Sequence, residues 1–299
     1  MKRASLPVTE RPNPRTTHLD RISTRKLLQV MNREDASVHA AVRRQLPHIA
    51  RAVDAIVASL QRGGRLFYVG AGTSGRLGVL DAAEIPPTFQ VSPRKVQAIL
   101  AGGHRAMFRS SEAAEDSRAA GARDLRRCGV RAGDVVVVLT ASGATPYAVG
   151  ALAQARKQRA FTVAVTSNPR SPVARRAQIA ICPATGPEVI AGSTRLKAGT
   201  AQKLVLNMLS TAALVRLGHV YRNLMVNVQM SNAKLRRRGQ RVLQLALGCS
   251  PAQARRLIQR SGGNLKAAIV MSRLGCTRTE AQRRLRRSHG HVAQTLGEK

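Results

Sequence analysis

Hydroxyl-bearing residues stand within a glycine-rich turn near residue 70, and this combination is suited to binding a phosphate. The segment Gly70-Ala71-Gly72-Thr73-Ser74-Gly75 follows a short apolar run at 66–69, which is typical of a buried strand. Glycines let the backbone approach a ligand closely, and a helix that begins here would present unpaired N–H groups to an anion. Hydroxyl groups add further hydrogen bonds to phosphate oxygens. We therefore expect Thr73, Ser74 and Gly75 to contact a small phosphorylated ligand.

The same glycine spacing also fits a dinucleotide-binding turn, which is the alternative interpretation. That fingerprint needs an acidic residue about 20 residues further on, at the end of the next strand. The next predicted strand, Val96–Leu100, continues into Ala101-Gly102-Gly103-His104 without a carboxylate at its end. The sequence therefore favours a phosphorylated small molecule over a dinucleotide, and over a turn with a purely structural role.

A second hydroxyl-rich turn follows another predicted strand, at 134–139. This turn reads Thr140-Ala141-Ser142-Gly143-Ala144-Thr145-Pro146 and precedes a predicted helix. Because ligands of parallel α/β sheets bind at the carboxyl ends of the strands, we expect Ser142 and Thr145 to join the same site. Lys197, predicted one turn inside a later helix, would bring its ammonium group to an anion bound there.

The order of predicted elements indicates an α/β fold. Apolar runs typical of strands alternate with segments of helical periodicity, which predicts a doubly wound, mainly parallel sheet flanked by helices. The five predicted strands span residues 66–69, 96–100, 134–139, 161–165 and 179–182.

Two of the predicted helices concern the site. A helix at 77–83 is expected to stop before Pro86-Pro87, because a residue that precedes proline is disfavoured in the helical region. Glu84 would then lie at the C-terminal end of that helix. A second helix is predicted over 106–127.

We expect three parts along the chain: an N-terminal arm and helix at 1–45, an α/β domain at 46–222 that carries the expected phosphate-binding turns, and a small C-terminal helical domain at 236–299. The last part contains an internal repeat, because Leu247-Gly248-Cys249-Ser250 recurs as Leu274-Gly275-Cys276-Thr277. Each copy predicts a capped amphipathic helix, a glycine break and the start of a second helix. The repeat carries no residues typical of an active site, so a packing role is favoured over contact with a partner.

The composition describes a globular protein with an unusual charge. Hydrophobic residues make up 43% of the 299 residues, and 50 Lys+Arg against 15 Asp+Glu give a formal net charge of +35. Such a charge attracts nucleic acid non-specifically. Aromatic residues amount to only 2% and tryptophan is absent, so platforms for base stacking are scarce. We therefore expect arginine on solvated surfaces and no specific nucleic-acid partner.

Cysteine usage and the N-terminus predict a cytoplasmic protein. The four cysteines are far apart and lack the spacing of metal ligands, which fits a reducing compartment. The first 21 residues are charged and contain no apolar segment of the kind that export signals have. No apolar run approaches the length of a membrane span, so no membrane association is expected.

Several separate segments, in the same order, make this chain resemble the N-acetylmuramic acid 6-phosphate etherases, which carry a sugar isomerase (SIS) phosphosugar-binding domain and are related to glucokinase regulatory protein. The matching segments are residues 9–14, 32–35, 70–78, 81–89, 112–116, 142–147 and 192–210. The resemblance implies cleavage of the D-lactyl ether of N-acetylmuramic acid 6-phosphate with water, to give N-acetylglucosamine 6-phosphate and D-lactate. It also implies a homodimer that uses no metal and no cofactor.

The resemblance further implies two catalytic glutamates. Their matching segments place them at Glu84 and Glu115. Because Glu84 is expected at the C-terminal end of its helix, near the negative end of the helix dipole, we assign it as the acid that protonates the departing oxygen, and Glu115 as the base that removes the proton at C2. Thr73, Ser74, Ser142 and Thr145 would then hold the phosphate and sugar hydroxyls. A non-catalytic phosphosugar sensor is the rival hypothesis from another class of protein, and a nucleic-acid binder driven by charge is a third.

Overall fold

The computed structural model describes residues 6–109, 112–228, 230 and 233–298. Within these ranges three short 3₁₀ helices precede the first α-helix, and another follows the second strand, at Gly103–Met107. The strands are β1 Leu66–Gly70, β2 Val96–Leu100, β3 Val135–Leu139, β4 Phe161–Val165, β5 Ile179–Ile181, β6 Val220–Tyr221 and β7 Leu224–Met225. The α-helices are α1 Thr24–Arg43, α2 Leu46–Gln61, α3 Gly72–Phe89, α4 Glu112–Glu115, α5 Arg118–Arg127, α6 Pro146–Lys157, α7 Pro172–Arg176, α8 Lys197–Arg216, α9 Ala233–Leu247, α10 Pro251–Arg260, α11 Leu265–Leu274, α12 Arg278–Arg287 and α13 Val292–Thr295. None of the described helices combines the length and apolar character needed to cross a membrane.

Five strands form one parallel sheet in the order β2-β1-β3-β4-β5, which confirms the predicted fold class. The chain moves outward from β1 to β2 and then returns to β3 on the other side of β1. Gly70, at the end of β1, is paired with Leu100 on one side and with Leu139 on the other. In sheets of this order, ligands bind at the carboxyl ends where the strand order reverses, here between β1 and β3.

The central strands are buried because their sequences are apolar throughout. All five residues of β1 and all five of β3 are buried, as expected for strands covered on both faces. Close packing of α5 on α6 depends on glycine, because a Cβ added at Gly121 would clash with the carbonyl oxygen of Tyr147. The sheet and its helices therefore form a closely packed support for the loops at the strand ends.

The prediction that α3 stops before Pro86 is wrong. The helix begins at Gly72 and continues to Phe89 with both prolines inside it, and the N–H of Gln90 still donates to the carbonyl oxygen of Pro86 at 2.9 Å. An interior proline costs about 3 kcal/mol, so the two together cost about 6 kcal/mol. Ile85 and Phe89 are buried at 3% and 7% exposure, and each such burial contributes about 1.5–3 kcal/mol, which offsets much of that cost. Glu84 therefore lies inside the helix and not at its end.

The prediction of one continuous helix over 106–127 is also wrong, because the structure has a break between α4 and α5. Ser117 begins α5 as its N-cap, and its hydroxyl accepts a hydrogen bond from the N–H of Ala120 at 3.1 Å. Serine is a favoured residue at this position because it satisfies a free N–H at the start of a helix. Part of the predicted helix, residues 110 and 111, lies outside the described residues.

The chain divides into two compact units. The first comprises Met1–Ala83 and Arg94–Ser210, and the second comprises Glu84–Pro93 and Thr211–Lys299. In the second unit the two copies of the repeat have the same local structure: Ser250 and Thr277 each form a capping box at the start of a helix. Gly263 and Gly290, at matching positions, both have a φ of 82°. The predicted domain boundaries at residues 45, 222 and 236 stay a prediction.

Candidate functional site

A cavity of about 390 Å³ lies at the carboxyl ends of β1 and β3, in the first unit. Its walls combine backbone from the glycine turn with hydroxyl groups, carboxylates and one arginine. The hydroxyl groups belong to Thr73, Ser74, Thr140, Ser142, Thr145 and Thr194, and the charged side chains belong to Glu10, Arg76, Glu112 and Glu115. The cavity therefore lies where the strand order reverses and carries the groups expected of a polar ligand site.

The glycine turn forms the floor of this cavity. Gly72 has a φ of 53°, a conformation that residues with a Cβ rarely adopt. The first hydrogen bond of α3 runs from the N–H of Gly75 to the carbonyl oxygen of Ala71 at 3.0 Å. The N–H groups of Gly72, Thr73 and Ser74 precede it and can therefore bind an anion.

Gly75 has a packing role at this turn. A Cβ added at Gly75 would lie 2.5 Å from the carbonyl oxygen of Gly70 and 2.5 Å from Leu100 Cδ1. Gly75 does not line the cavity, although the sequence predicted contact with a ligand. The glycine is needed because α3 passes so close to the end of β1.

Hydroxyl groups of the second turn form a small network in the cavity wall. Thr140 Oγ1 lies 2.8 Å from Thr145 Oγ1 and 3.4 Å from Ser142 Oγ. Thr140 Oγ1 also accepts a hydrogen bond from the N–H of Gly143 at 3.2 Å, and Gly143 has a φ of 73°. The network orients Ser142 and Thr145 toward a common space, and Thr140 is a lining residue that sequence reasoning missed.

Glu115 lies against the glycine turn. A Cβ added at Gly72 would be 2.7 Å from Glu115 Oε1, so the carboxylate occupies the space that the missing side chain leaves open. Burial raises the pKa of Glu115, the negative charge of Asp116 raises it further, and the positive charge of Arg76 lowers it. A carboxylate with a raised pKa is a stronger base than an ordinary one, which suits it to removing a proton from carbon.

Arg76 contributes both to the cavity wall and to its support. Its Nε donates to the carbonyl oxygens of Ala106 at 2.9 Å and of Met107 at 3.2 Å, which tie the segment after β2 to the start of α3. Sequence reasoning also missed Arg76, Glu10 and Thr194. Arg76 directly follows the glycine turn, and this position in the first turn of the helix could have indicated that its side chain lies beside the ligand site.

Lys197 does not line the cavity, contrary to the prediction. Its side chain is 1% exposed, and its Nζ forms an ion pair with Glu34 Oε2 at 2.7 Å. The start of α8 is capped by Glu188, whose carboxylate accepts from the N–H groups of Lys197 and Ala198 at 2.9 Å each. The ammonium group is therefore neutralised in the interior by a partner far away in the sequence.

The structure thus brings together five of the predicted residues, namely Thr73, Ser74, Ser142, Thr145 and Glu115. Glu84 has an exposed side chain on α3 and belongs to the second unit. Its action together with Glu115 stays a prediction.

Comparison with known proteins identifies two domain models and close relatives. Residues 48–156 match the glucokinase regulatory protein N-terminal SIS domain, and residues 114–212 match the SIS domain. The chain is 56% identical over 263 residues to the N-acetylmuramic acid 6-phosphate etherase of Symbiobacterium thermophilum, covering 88% of this chain and 87% of the relative. It is 50% identical over 264 residues to the enzyme of that name from Klebsiella aerogenes, covering 88% of both chains.

Among solved structures, a phosphoheptose isomerase from Francisella tularensis superposes with a TM-score of 0.47 at 18% identity, covering 65% of this chain and 99% of that one. The sequence relatives carry the assignment, because half or more of their aligned residues are identical over most of both chains. This chain belongs to the N-acetylmuramic acid 6-phosphate etherase family.

Proposed function

We propose that this chain is a carbon–oxygen lyase that cleaves the D-lactyl ether of N-acetylmuramic acid 6-phosphate with water, giving N-acetylglucosamine 6-phosphate and D-lactate. The observation that carries the proposal is the cavity in which the hydroxyl groups of two strand-end turns face the carboxylate of Glu115. Membership of the etherase family supports the choice of reaction. A cytoplasmic location for this degradation of amino sugar stays a prediction from the sequence.

The 6-phosphate is proposed to bind at the start of α3. The free N–H groups of Gly72, Thr73 and Ser74 lie there, and the positive end of the helix dipole favours an anion at this position. The hydroxyls of Ser142 and Thr145 are proposed to complete the binding of the phosphate and of the sugar hydroxyls. Backbone N–H and hydroxyl groups, together with Arg76 in the cavity wall, are proposed to take the place of the predicted ammonium of Lys197.

The reaction is proposed to proceed from the open-chain aldehyde, whose carbonyl group acidifies the proton at C2. Glu115 removes this proton, the electron pair forms a C2–C3 double bond, and the C3–O bond to lactate breaks. Glu84 donates a proton to the departing lactate oxygen. Water then adds at C3, with Glu84 accepting its proton, and C2 regains a proton from Glu115. Acid–base catalysis of this kind typically contributes about 10²–10⁴-fold in rate.

Incubating the purified protein with N-acetylmuramic acid 6-phosphate in heavy water tests the proposal. We expect D-lactate to appear together with deuterium at C2 of the sugar product. Glu84→Gln and Glu115→Gln should each lose turnover by at least roughly a hundredfold, while Asp54→Asn, an exposed carboxylate of α2, serves as the matched control. Release of lactate without deuterium at C2 would contradict the elimination mechanism.

The rival hypotheses give different results in simple assays. A phosphosugar sensor would bind N-acetylglucosamine 6-phosphate without releasing lactate from the substrate. A nucleic-acid binder would bind duplex DNA at low salt and lose that binding steeply toward physiological salt, and we propose no specific nucleic-acid partner. We also propose that the protein is a homodimer, which sedimentation equilibrium of the full chain measures directly.

A further inference from the structure

The N-terminal arm, defined here as residues 6–22, places a third carboxylate in the cavity. Glu10 lines the cavity together with Glu112 and Glu115, although more than 100 residues separate it from both in sequence. The proposed reaction uses one acid and one base, so it gives Glu10 no role. A carboxylate repels a phosphorylated substrate, which is itself anionic, so its presence in the site indicates a compensating interaction with the substrate.

The position of Glu10 is fixed by direct contacts with the loop before α8. The N–H of Gly192 donates to the carbonyl oxygen of Thr9 at 2.9 Å, and Thr9 is only 2% exposed. Gly192 has a φ of 78°, and a Cβ added there would lie 2.9 Å from Glu10 Oε2. The loop thus leaves room for this carboxylate beside Thr194, which also lines the cavity.

A buried polar network anchors the rest of the arm. Asn13 Nδ2 donates to Glu34 Oε2 at 2.9 Å, Arg15 Nε lies 2.9 Å from Glu34 Oε1, and Lys197 completes the network from the other side. Thr16 Oγ1 donates to the carbonyl oxygen of Val189 at 2.8 Å. Buried charges are strongly destabilising unless all their partners are in place, so this network holds the arm in one position.

The carboxylate of Glu10 is available to a ligand. Among the described residues Glu10 forms no ion pair, even though the chain has 50 basic residues, and its side chain is exposed. Within the described residues, the carboxylate of Glu10 accepts a single hydrogen bond, which comes from the hydroxyl of Thr9 at 3.5 Å. Because an ionised carboxylate only accepts hydrogen bonds, it recognises hydroxyl and amide N–H groups and not phosphate.

We propose that Glu10 is a substrate-binding residue whose carboxylate accepts hydrogen bonds from the hydroxyl or amide N–H donors of the sugar. This proposal rests on the proposed function, because it takes the cavity to be the phosphosugar site. Its negative charge also disfavours a phosphate bound next to it, so the sugar end of the substrate lies toward Glu10. Glu10 therefore sets the orientation of the substrate as well as its affinity.

Replacing Glu10 by glutamine in the full chain tests the proposal, with calorimetric binding of N-acetylglucosamine 6-phosphate as the main measurement. A charge-assisted hydrogen bond lost to a neutral amide should weaken binding by roughly tenfold or more. The unfolding midpoint should not change. Binding of inorganic phosphate, which lacks the sugar donors, should stay the same or become tighter. Asp20→Asn, an exposed carboxylate of the same arm, should bind both ligands as the wild type does.

Kinetics provide a second measurement on the same variants. In Glu10→Gln the KM for N-acetylmuramic acid 6-phosphate should rise about tenfold with little change in kcat, because the chemical groups remain. Sugar-phosphate binding by Glu10→Gln within twofold of wild type, or tighter than wild type, would overturn the proposal. An equal loss in Asp20→Asn would also overturn it, since the effect would then be one of overall charge. If the wild type binds the sugar phosphate in a Glu10-dependent way but releases no lactate, the proposed function fails and this inference stands.

Discussion

Replacing Lys197 by methionine should destabilise the first unit without removing a ligand of the phosphate. The ammonium of Lys197 and the carboxylate of Glu34 are both nearly inaccessible, at 1% and 2% side-chain exposure, and lie 2.7 Å apart. Methionine keeps a similar length and fills the same space, but it leaves the carboxylate of Glu34 without its nearest cation. The variant therefore isolates the electrostatic part of the contact.

The expected magnitude follows from the partners that remain. Removing one member of a buried ion pair typically costs about 3–5 kcal/mol. Glu34 still accepts a hydrogen bond from Asn13 and still pairs with Arg15, so we expect the lower end, about 3 kcal/mol. That corresponds to a decrease of roughly 6–12 °C in the midpoint of thermal unfolding.

The pH dependence of this loss has a definite sign. Burial raises the pKa of Glu34, but the hydrogen bonds from Lys197 and Asn13 and the nearby positive charges outweigh it, so that the pKa lies below its ordinary value. A depressed carboxylate pKa stabilises the folded state above the unfolded-state pKa, and this stabilisation is lost as the pH falls through the folded-state pKa. The difference in the free energy of unfolding between wild type and Lys197→Met should therefore be largest at neutral pH and should decrease in acid.

Thermal and urea unfolding of the full chain measure the effect. Lys203→Met, an exposed lysine on the same helix, serves as the control. The double variant Glu34→Leu with Lys197→Met should recover only part of the lost stability, because it removes the unpaired charge but leaves the buried amide of Asn13 without its acceptor. An unchanged unfolding midpoint in Lys197→Met, together with a tenfold loss of sugar-phosphate affinity, would refute this reasoning and restore the role in phosphate binding that the sequence predicted.

Two further predictions concern the base and the packing beneath the site. Because burial and then the charge of Asp116 raise the pKa of Glu115, kcat/KM should increase as the pH rises through that pKa. Asp116→Asn should move this acidic limb of the pH profile to lower pH. A limb that does not move would show that the profile does not report the ionisation of Glu115. Gly121→Ala should cost about 3 kcal/mol in urea unfolding because its Cβ clashes with the backbone of α6. Gly199→Ala, where the nearest atom lies at 3.4 Å, is the control, and equal stability of the two variants would contradict the packing argument.

The sheet and the two strand-end turns could be predicted because local sequence determines them. The run from Val135 to Leu139 is apolar at every position, and such a run followed by glycine and hydroxyl residues is typical of a buried strand that ends at a ligand site. The parallel order of the strands then brings Thr73 and Thr145 to one cavity. These steps need no knowledge of distant contacts.

The remaining features depend on contacts between distant residues. Pro86 predicts the end of a helix on local grounds, whereas the burial of Ile85 and Phe89 keeps the helix intact. Lys197 has the sequence position of a phosphate ligand, and only the fold shows that Glu34 neutralises it. Glu10 reaches the cavity through an arm without regular strands or α-helices, and for this reason no periodicity indicates its position.

Exchange of the C2 proton of N-acetylglucosamine 6-phosphate in heavy water tests most directly whether Glu115 is the base. Removal of this proton from the open-chain sugar needs the base but not the acid that protonates lactate. The account predicts that wild type and Glu84→Gln incorporate deuterium at C2, as followed by proton NMR, and that Glu115→Gln does so at least roughly a hundredfold more slowly. Exchange at the wild-type rate in Glu115→Gln would contradict the account.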